Sequence, residues 1–381
     1  MNNKIIKSLV FGIFLFLFLF NLTSRIKALY AAEKKSDKDN AKSDDKKILK
    51  EAMFYQKLDN KKVRCNLCPR GCVISDGGTG FCRARQNING TLYSINYGKI
   101  VSMNIDPIEK KPFFHVLPGS KSFSIASAGC NLRCEYCQNW QISQRSPNDV
   151  EYEYFKPEQI VDMALKSGSK SIAYTYSEPI SFYEYVVDTS KLAKKKRLKN
   201  IVVTNGFINK EPLEYMLKYV DGVRVDLKGF NEDFYVKYTS GKLGPVLETL
   251  KTIKKSGRWL EIINLIVPGA NDNDEDVQKL CNWVKENLGD DVPVHFTRFY
   301  PNYKMSDTPP TPESTVIRAR EIALKSGLKY AYTGNIYYPD GETTYCPDGT
   351  AAIRRKGYFI EKNILKNGKC PDGYKIPGLW K

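Results

Sequence analysis

Three thiols are packed into eight positions, Cys130-Asn-Leu-Arg-Cys134-Glu-Tyr-Cys137. Thiolates are soft ligands, suited to zinc or to iron–sulfur clusters. A C-x3-C-x2-C run suits three thiolates closing around one cubane cluster, which leaves one iron open. An open iron can chelate a small molecule through amino and carboxylate groups. Zinc needs a fourth ligand, and no Cys or His within the run supplies one. The bland alternatives are a zinc site completed from elsewhere or three unrelated thiols. A second set, Cys65, Cys68, Cys72 and Cys82, has C-x2-C-x3-C-x9-C spacing. Four thiolates could bind zinc structurally or hold a second iron–sulfur cluster; a zinc ribbon for nucleic acid and a set of redox thiols are the other readings.

The composition limits the rest. The chain of 381 residues has 10 Cys but only 2 His, and a net charge of +17. So few His argue against a multi-His catalytic zinc centre, leaving cysteine to do most of any metal binding. The Cys content is far below that of a disulfide-stapled secreted module. The charge is spread, with no Arg-rich run, so a lysine-rich solvated surface accounts for it and nucleic acid is not an expected partner.

These thiols need a frame. From about residue 122 strand-like runs alternate with amphipathic stretches. The runs are 122–127, 171–176, 200–205, 222–227, 260–267 and 293–299, with a seventh at 329–333. Apolar residues recur at three- and four-residue spacing in Ile160, Val161, Ala164 and Leu165, and in Val277, Leu280, Trp283 and Val284. Serial β-α units predict a parallel sheet with right-handed crossovers, as an open sheet or a barrel. No Gly-rich dinucleotide fingerprint follows the first strand, which argues against a nucleotide-binding doubly wound sheet. The strands end in Cys130, in Ser177-Glu178-Pro179, in Thr204-Asn205-Gly206 and in Asp226-Leu227-Lys228, and the 293–299 strand carries His295 and Arg298. In a parallel array these ends share one rim, where such folds keep their sites. His115 reads as a packed, hydrogen-bonded histidine, and Cys281 as core.

The cysteine run, with Tyr136 before the third Cys, resembles the signature of the radical S-adenosylmethionine (SAM) enzymes, and the likeness extends from about 115 to 335. It implies an α/β fold, a partial (β/α)6 TIM-like barrel. Thr204-Asn205-Gly206, Asp226-Leu227-Lys228 and Val267-Pro268-Gly269 look like segments of the glycyl-radical-enzyme activators. A closer similarity is to the radical enzymes of the AmmeMemoRadiSam system, often labelled pyruvate formate-lyase activating enzyme-like. It rests on the N-terminal Cys set, Lys111-Pro112-Phe113-Phe114-His115, residues 295–299, Tyr345-Cys346-Pro347 and the closing Ile376-Pro377-Gly378-Leu379-Trp380. The resemblance implies a [4Fe–4S] cluster on Cys130, Cys134 and Cys137, with SAM on the open iron. An electron from a low-potential donor of flavodoxin or ferredoxin type would cleave SAM to a 5′-deoxyadenosyl radical, which takes hydrogen from a substrate that could be a protein. It further implies Tyr136 near the adenine, Glu178 on the cofactor's ammonium, Thr204 and Asn205 facing the ribose, and Asp226 and Lys228 ordering the carboxylate side. His295 and Arg298 become candidate substrate contacts.

Two positions depart from the well-studied activators: Val203 stands where they carry Asp, and Ile262-Ile263-Asn264 where they carry an Arg. Both weaken the case for a glycyl-radical enzyme as substrate. At the C-terminus the family's paired Cys-Pro-x-Cys-Gly knuckles are shortened to Cys346-Pro-Asp-Gly349 and Cys370-Pro-Asp-Gly373, so no metal is expected there. A Cys346–Cys370 disulfide is geometrically conceivable, though at odds with a reducing compartment.

The domain expectation is residues 1–32 as an apolar anchor or signal-like segment, 33–50 as a charged linker, 51–115 as a Cys-rich module, 116–335 as the barrel and 336–381 as a C-terminal extension. Residues 8–22 are almost wholly apolar with lysines before and basic residues after, which predicts a cytoplasmic body that could be membrane-anchored. The competing functions are a zinc-ribbon nucleic-acid-binding protein and a membrane-tethered iron–sulfur electron carrier.

Overall fold

The central strands are short apolar runs buried on both faces, as parallel strands flanked by helices must be. In the computed structural model, which describes residues 49–381, these runs form one eight-stranded sheet. The apolar run 8–22, and with it the expected anchor, lies outside the described residues. Among the described residues no helix is long and apolar enough to cross a membrane.

Three small antiparallel sheets, built mostly from the N-terminal stretch, accompany the main sheet. β1 (Lys50–Glu51) pairs with β6 (Thr91–Ser94), which pairs with β5 (Arg85–Ile88); β2 (Tyr55–Lys57), β3 (Val63–Cys65) and β4 (Val73–Ile74) form a second antiparallel ladder; β7 (Lys99–Ile100) pairs with β10 (Glu153–Tyr154). The main sheet begins with β8 (Ser102–Pro107), antiparallel to β9 (Lys121–Ala126). It continues in parallel, in chain order, through β11 (Ser171–Tyr174), β12 (Lys199–Thr204), β13 (Gly222–Asp226), β14 (Trp259–Ile266), β15 (Val294–Arg298) and β16 (Ala331–Gly334). Helices Pro157–Lys166, Tyr183–Lys195, Lys210–Leu217, Leu243–Lys255, Asp274–Leu288 and Glu313–Lys325 make the crossovers. This is the expected α/β frame of the partial TIM-like barrel, and all seven predicted strands are present.

Strand β8, from the stretch 51–115, forms the edge of the barrel sheet, and Leu49–Lys381 is one compact unit. The 336–381 extension forms a three-stranded sheet of β17 (Thr344–Tyr345), β18 (Ala351–Lys356) and β19 (Phe359–Asn363), and its end returns beneath the barrel. There the Leu117 N–H donates to Leu379 O at 2.7 Å and the Leu379 N–H to His115 O at 2.7 Å. Leu379 packs with Ile108, Phe113, Val116, Ala173, Ile201 and Trp259. Gly378 has to be Gly, because a Cβ there would lie 2.6 Å from His115 O.

Cys346 and Cys370 are joined as a disulfide, with Cα atoms 6.1 Å apart. The two Cys-Pro-Asp-Gly turns that carry them match. In each, the Gly N–H donates to the Cys carbonyl at 3.0 Å, and the residue after the Gly donates its N–H to the Asp carboxylate at 2.9 Å. The disulfide thus joins two loops shaped like metal knuckles. The remaining cysteines are free thiols, and Cys281 is buried in its helix as expected.

Candidate active site

A cleft of ≈ 850 Å³ opens at the C-terminal rim of the parallel strands. Cys130, Cys134 and Cys137 line it in the loop after β9, and several contacts fix that loop. The Arg133 N–H donates to Thr239 O at 2.8 Å, the Glu135 N–H to Tyr238 O at 2.9 Å, and Arg70 Nε to Asn131 O at 2.6 Å. Donors are aimed at the sulfurs. The Leu132 N–H lies 3.4 Å from Cys130 Sγ, Asn205 Nδ2 lies 3.8 Å from the same atom, and the Ser143 hydroxyl is 3.2 Å from Cys137 Sγ. Burial pushes the Cys130 thiol well up and the Cys134 thiol to about 12. Buried sulfurs with donors aimed at them need bound cations to become stable thiolates, so this donor set fits an iron–sulfur cluster.

Glu178 follows β11 and caps the turn Pro179–Phe182. Its Oε1 accepts from the Thr204 hydroxyl at 2.6 Å and the Ile180 N–H at 3.1 Å; its Oε2 accepts from the Asn205 N–H at 2.8 Å. Burial raises its carboxyl to about 7 against the pull of these donors. Thr204 and Asn205 line the cleft, but their side chains are already engaged. Thr204 holds Glu178, while Asn205 Nδ2 donates to Asn131 Oδ1 at 2.8 Å and its Oδ1 accepts from the Phe207 N–H at 2.8 Å. Both residues thus position the glutamate and the cysteine loop.

After β13, Lys228 Nζ lies 3.1 Å from Asp226 Oδ2, and Arg224 bonds the other oxygen. Burial would raise the Asp226 carboxyl, but these cations hold it below the usual carboxylate range. Tyr136 also lines the cleft, with its ring centroid 6.1 Å from that of Phe234. His295 reaches the cleft with Nε2 2.8 Å from Glu261 Oε2. Arg298 does not line it, being tied to Thr311 O at 2.7 Å and to Glu313 at 2.9 Å.

Some residues that support the site were not marked by the sequence. Glu261, fully buried in β14, accepts from the Phe114 and His115 N–H groups at 2.9 and 3.0 Å and from Trp259 Nε1 at 2.9 Å, besides facing His295. Burial would raise its carboxyl, yet His295 and these donors hold it at about 2. An acid inside the apolar run 260–267 was the available signal. His115, the second histidine, is packed as expected, its ring bonding Pro377 O and the Tyr332 hydroxyl at 2.7 Å each. Lys111 lies 2.5 Å from Asp106 and 4.1 Å from the centroid of Tyr176, whose hydroxyl also bonds Asp106. Burial lowers the Lys111 ammonium to about 8. Nothing in the spacing of Asp106 or Tyr176 marks them.

The model of the Radical SAM superfamily matches residues 124–284, which hold the cysteine loop, Glu178, Asp226 and Lys228. An uncharacterised protein of Methanocaldococcus jannaschii is 48% identical over 83% of this chain and 94% of its own length. The pyruvate formate-lyase-activating enzyme of Clostridium pasteurianum is 29% identical over 41% of this chain and 66% of its own. Among solved structures, a radical SAM methyltransferase from Sphaerobacter thermophilus is 14% identical, with a TM-score of 0.49 over 81% of this chain and 82% of its own. With the matched segment coinciding with the cysteine loop and the rim that faces it, the chain belongs to the radical SAM superfamily.

Proposed function

We propose that this chain is a radical SAM enzyme of the activating-enzyme type, acting on a protein segment, in which Cys130, Cys134 and Cys137 hold a [4Fe–4S] cluster. When bound, the cluster and SAM supply one-electron cleavage of the sulfonium bond, giving methionine and a 5′-deoxyadenosyl radical that takes a hydrogen atom from the substrate. The observation that carries the reading is the convergence of three free thiols, Glu178 and the Asp226–Lys228 pair on one cleft.

The chain's own residues divide the work. Ionised Glu178 offers its oxygens to the cofactor's ammonium, while Thr204 and Asn205 keep that carboxylate in place. Lys228 provides a positive charge for the cofactor's carboxylate, with Asp226 and Arg224 fixing its position. Tyr136 provides an aromatic wall. Val203, Ile263 and Leu265 line the cleft as apolar wall, at and beside the positions where the well-studied activators carry charge. The substrate therefore meets apolar surface there. Tyr300, Tyr337 and Tyr358 line the same cleft and are exposed, Tyr337 by 68%, a surface suited to a polypeptide. Relatives named as activators of pyruvate formate-lyase and of 4-hydroxyphenylacetate decarboxylase support a protein substrate. A low-potential donor of flavodoxin or ferredoxin type supplies the electron.

The test is anaerobic reconstitution with iron and sulfide, followed by SAM and a strong reductant. The wild-type chain is expected to form 5′-deoxyadenosine and Cys134→Ala to fall to background. Deoxyadenosine formation retained in Cys134→Ala ends this reading.

A further inference from the structure

The second cysteine set lies against the back of the catalytic loop. Cys65, Cys68, Cys72 and Cys82, distant in sequence by up to seventeen positions, line one small cavity together with Arg70, Arg85 and Asn131. The fold brings them together by two devices. Strand β3 ends at Cys65, whose N–H donates to Cys72 O at 2.9 Å, and Gly71 turns the chain between them at φ +55°. Cys82 is pressed against the catalytic loop, since a Cβ at Gly129 would meet Cys82 O at 2.7 Å.

Asn131 forms one wall of this cavity and is the residue after Cys130. Its Oδ1 accepts from Asn205 Nδ2 at 2.8 Å, and that same nitrogen lies 3.8 Å from Cys130 Sγ. A continuous run of polar contacts therefore joins the four-thiol cavity to a ligand of the catalytic centre. Arg85 is buried with Nη1 3.9 Å from Cys65 Sγ, and Arg70 reaches Asn131 O, so two guanidinium groups border the thiols. The four free thiols thus converge on one enclosed space beside the catalytic loop, as the ligands of one shared centre must.

We propose that Cys65, Cys68, Cys72 and Cys82 hold a second iron–sulfur cluster, of the four-thiolate [4Fe–4S] type, that relays electrons to the catalytic loop through the Asn131 wall. This rests on the catalytic reading above. In each relay the cluster takes one electron from the low-potential donor and passes it to the catalytic centre; the donor is oxidised, the catalytic centre is reduced, and no bond is made or broken. Bordering guanidinium charge, that of Arg85 shared with Glu184, favours the extra negative charge of the reduced state. Zinc, having no redox chemistry, would give this position beside the catalytic loop no such role.

The deciding sample is the full chain with Cys130, Cys134 and Cys137 all changed to Ala, reconstituted anaerobically. It is expected to keep about four irons and four sulfides and to give an electron-paramagnetic signal on reduction. Zinc at one per chain, or no iron, overturns the proposal, whatever the catalytic centre does. In the otherwise intact chain, Cys68→Ser and, separately, Cys72→Ser are expected to halve the iron content. They should slow deoxyadenosine formation driven by a ferredoxin-type donor by roughly tenfold or more, while sparing the reaction driven by dithionite, a small reductant able to enter the cleft. Equal loss with both reductants, or no loss with either, overturns the relay. Absence of deoxyadenosine from the wild-type chain, with the triple variant's cluster present, sinks the catalytic reading alone.

Discussion

Glu178 is the residue whose ionisation the site depends on most directly. Its buried carboxyl titrates at about 7, well above the ordinary value for glutamate, because burial outweighs its three hydrogen-bond donors. In the free protein, lowering the pH through 7 therefore neutralises the acceptor for the cofactor's ammonium. SAM affinity is expected to rise between about pH 6 and 8, measured by equilibrium binding, and Glu178→Gln should bind weakly with no such rise. An unchanged pH profile in that variant removes the role. The folded-state value is raised, so the stability linkage runs the other way: protonated Glu178 favours the fold at low pH, and this is lost as the pH climbs through 7. Binding and stability thus move in opposite directions with pH, which separates the two effects. The sequence made Glu178 legible because its place at a strand end and the family resemblance both marked it. Asp106 and Tyr176 were not legible, since their role comes from a meeting of residues 70 positions apart.

At the scale of elements, the parallel strands were legible because strands buried on both faces are apolar runs. Strand β8 was not, because an edge strand reading Ser-Met-Asn-Ile-Asp-Pro is too polar to stand out. A seam between the N-terminal strands and the barrel is closed by Arg85 of β5 and Glu184 of the helix Tyr183–Lys195, a pair exposed by no more than 1% on either side chain. Glu184 also accepts from the Met53 N–H at 2.8 Å. Removing one charge of a buried pair leaves the other uncompensated. Glu184→Gln is expected to lower the unfolding free energy by about 3–5 kcal/mol, read from the shift in a denaturant midpoint. A loss near zero would mean that the seam is held by apolar packing alone.

Across the whole molecule, the C-terminal extension is part of the barrel's support. Tyr332 of β16 bonds His115 and Thr344, and Arg355 of β18 donates to Thr344 and to Phe114 O at 2.8 and 2.7 Å. The Cys346–Cys370 disulfide packs in the same cluster, with Phe114, Tyr330 and Tyr332. Closing a loop of 24 positions contributes about 3 kcal/mol. Cys370→Ser is therefore expected to lower the thermal midpoint, and added thiol reductant should lower that of the wild type but not of the variant. Equal sensitivity of both to reductant would remove the staple's contribution. The motif at 376–380 was visible as a resemblance, but its position under the sheet was not, because no local pattern encodes a partner near residue 115.

That distant pairing has a consequence for how the chain folds. His115 and Pro377 meet across 262 positions, and Phe114 and Arg355 across 241, whereas neighbouring strands of the sheet follow one another in chain order. Contacts of such span carry the largest chain-closure entropy and are characteristic of slow folding. The floor of the barrel is thus the kinetically late part of this structure.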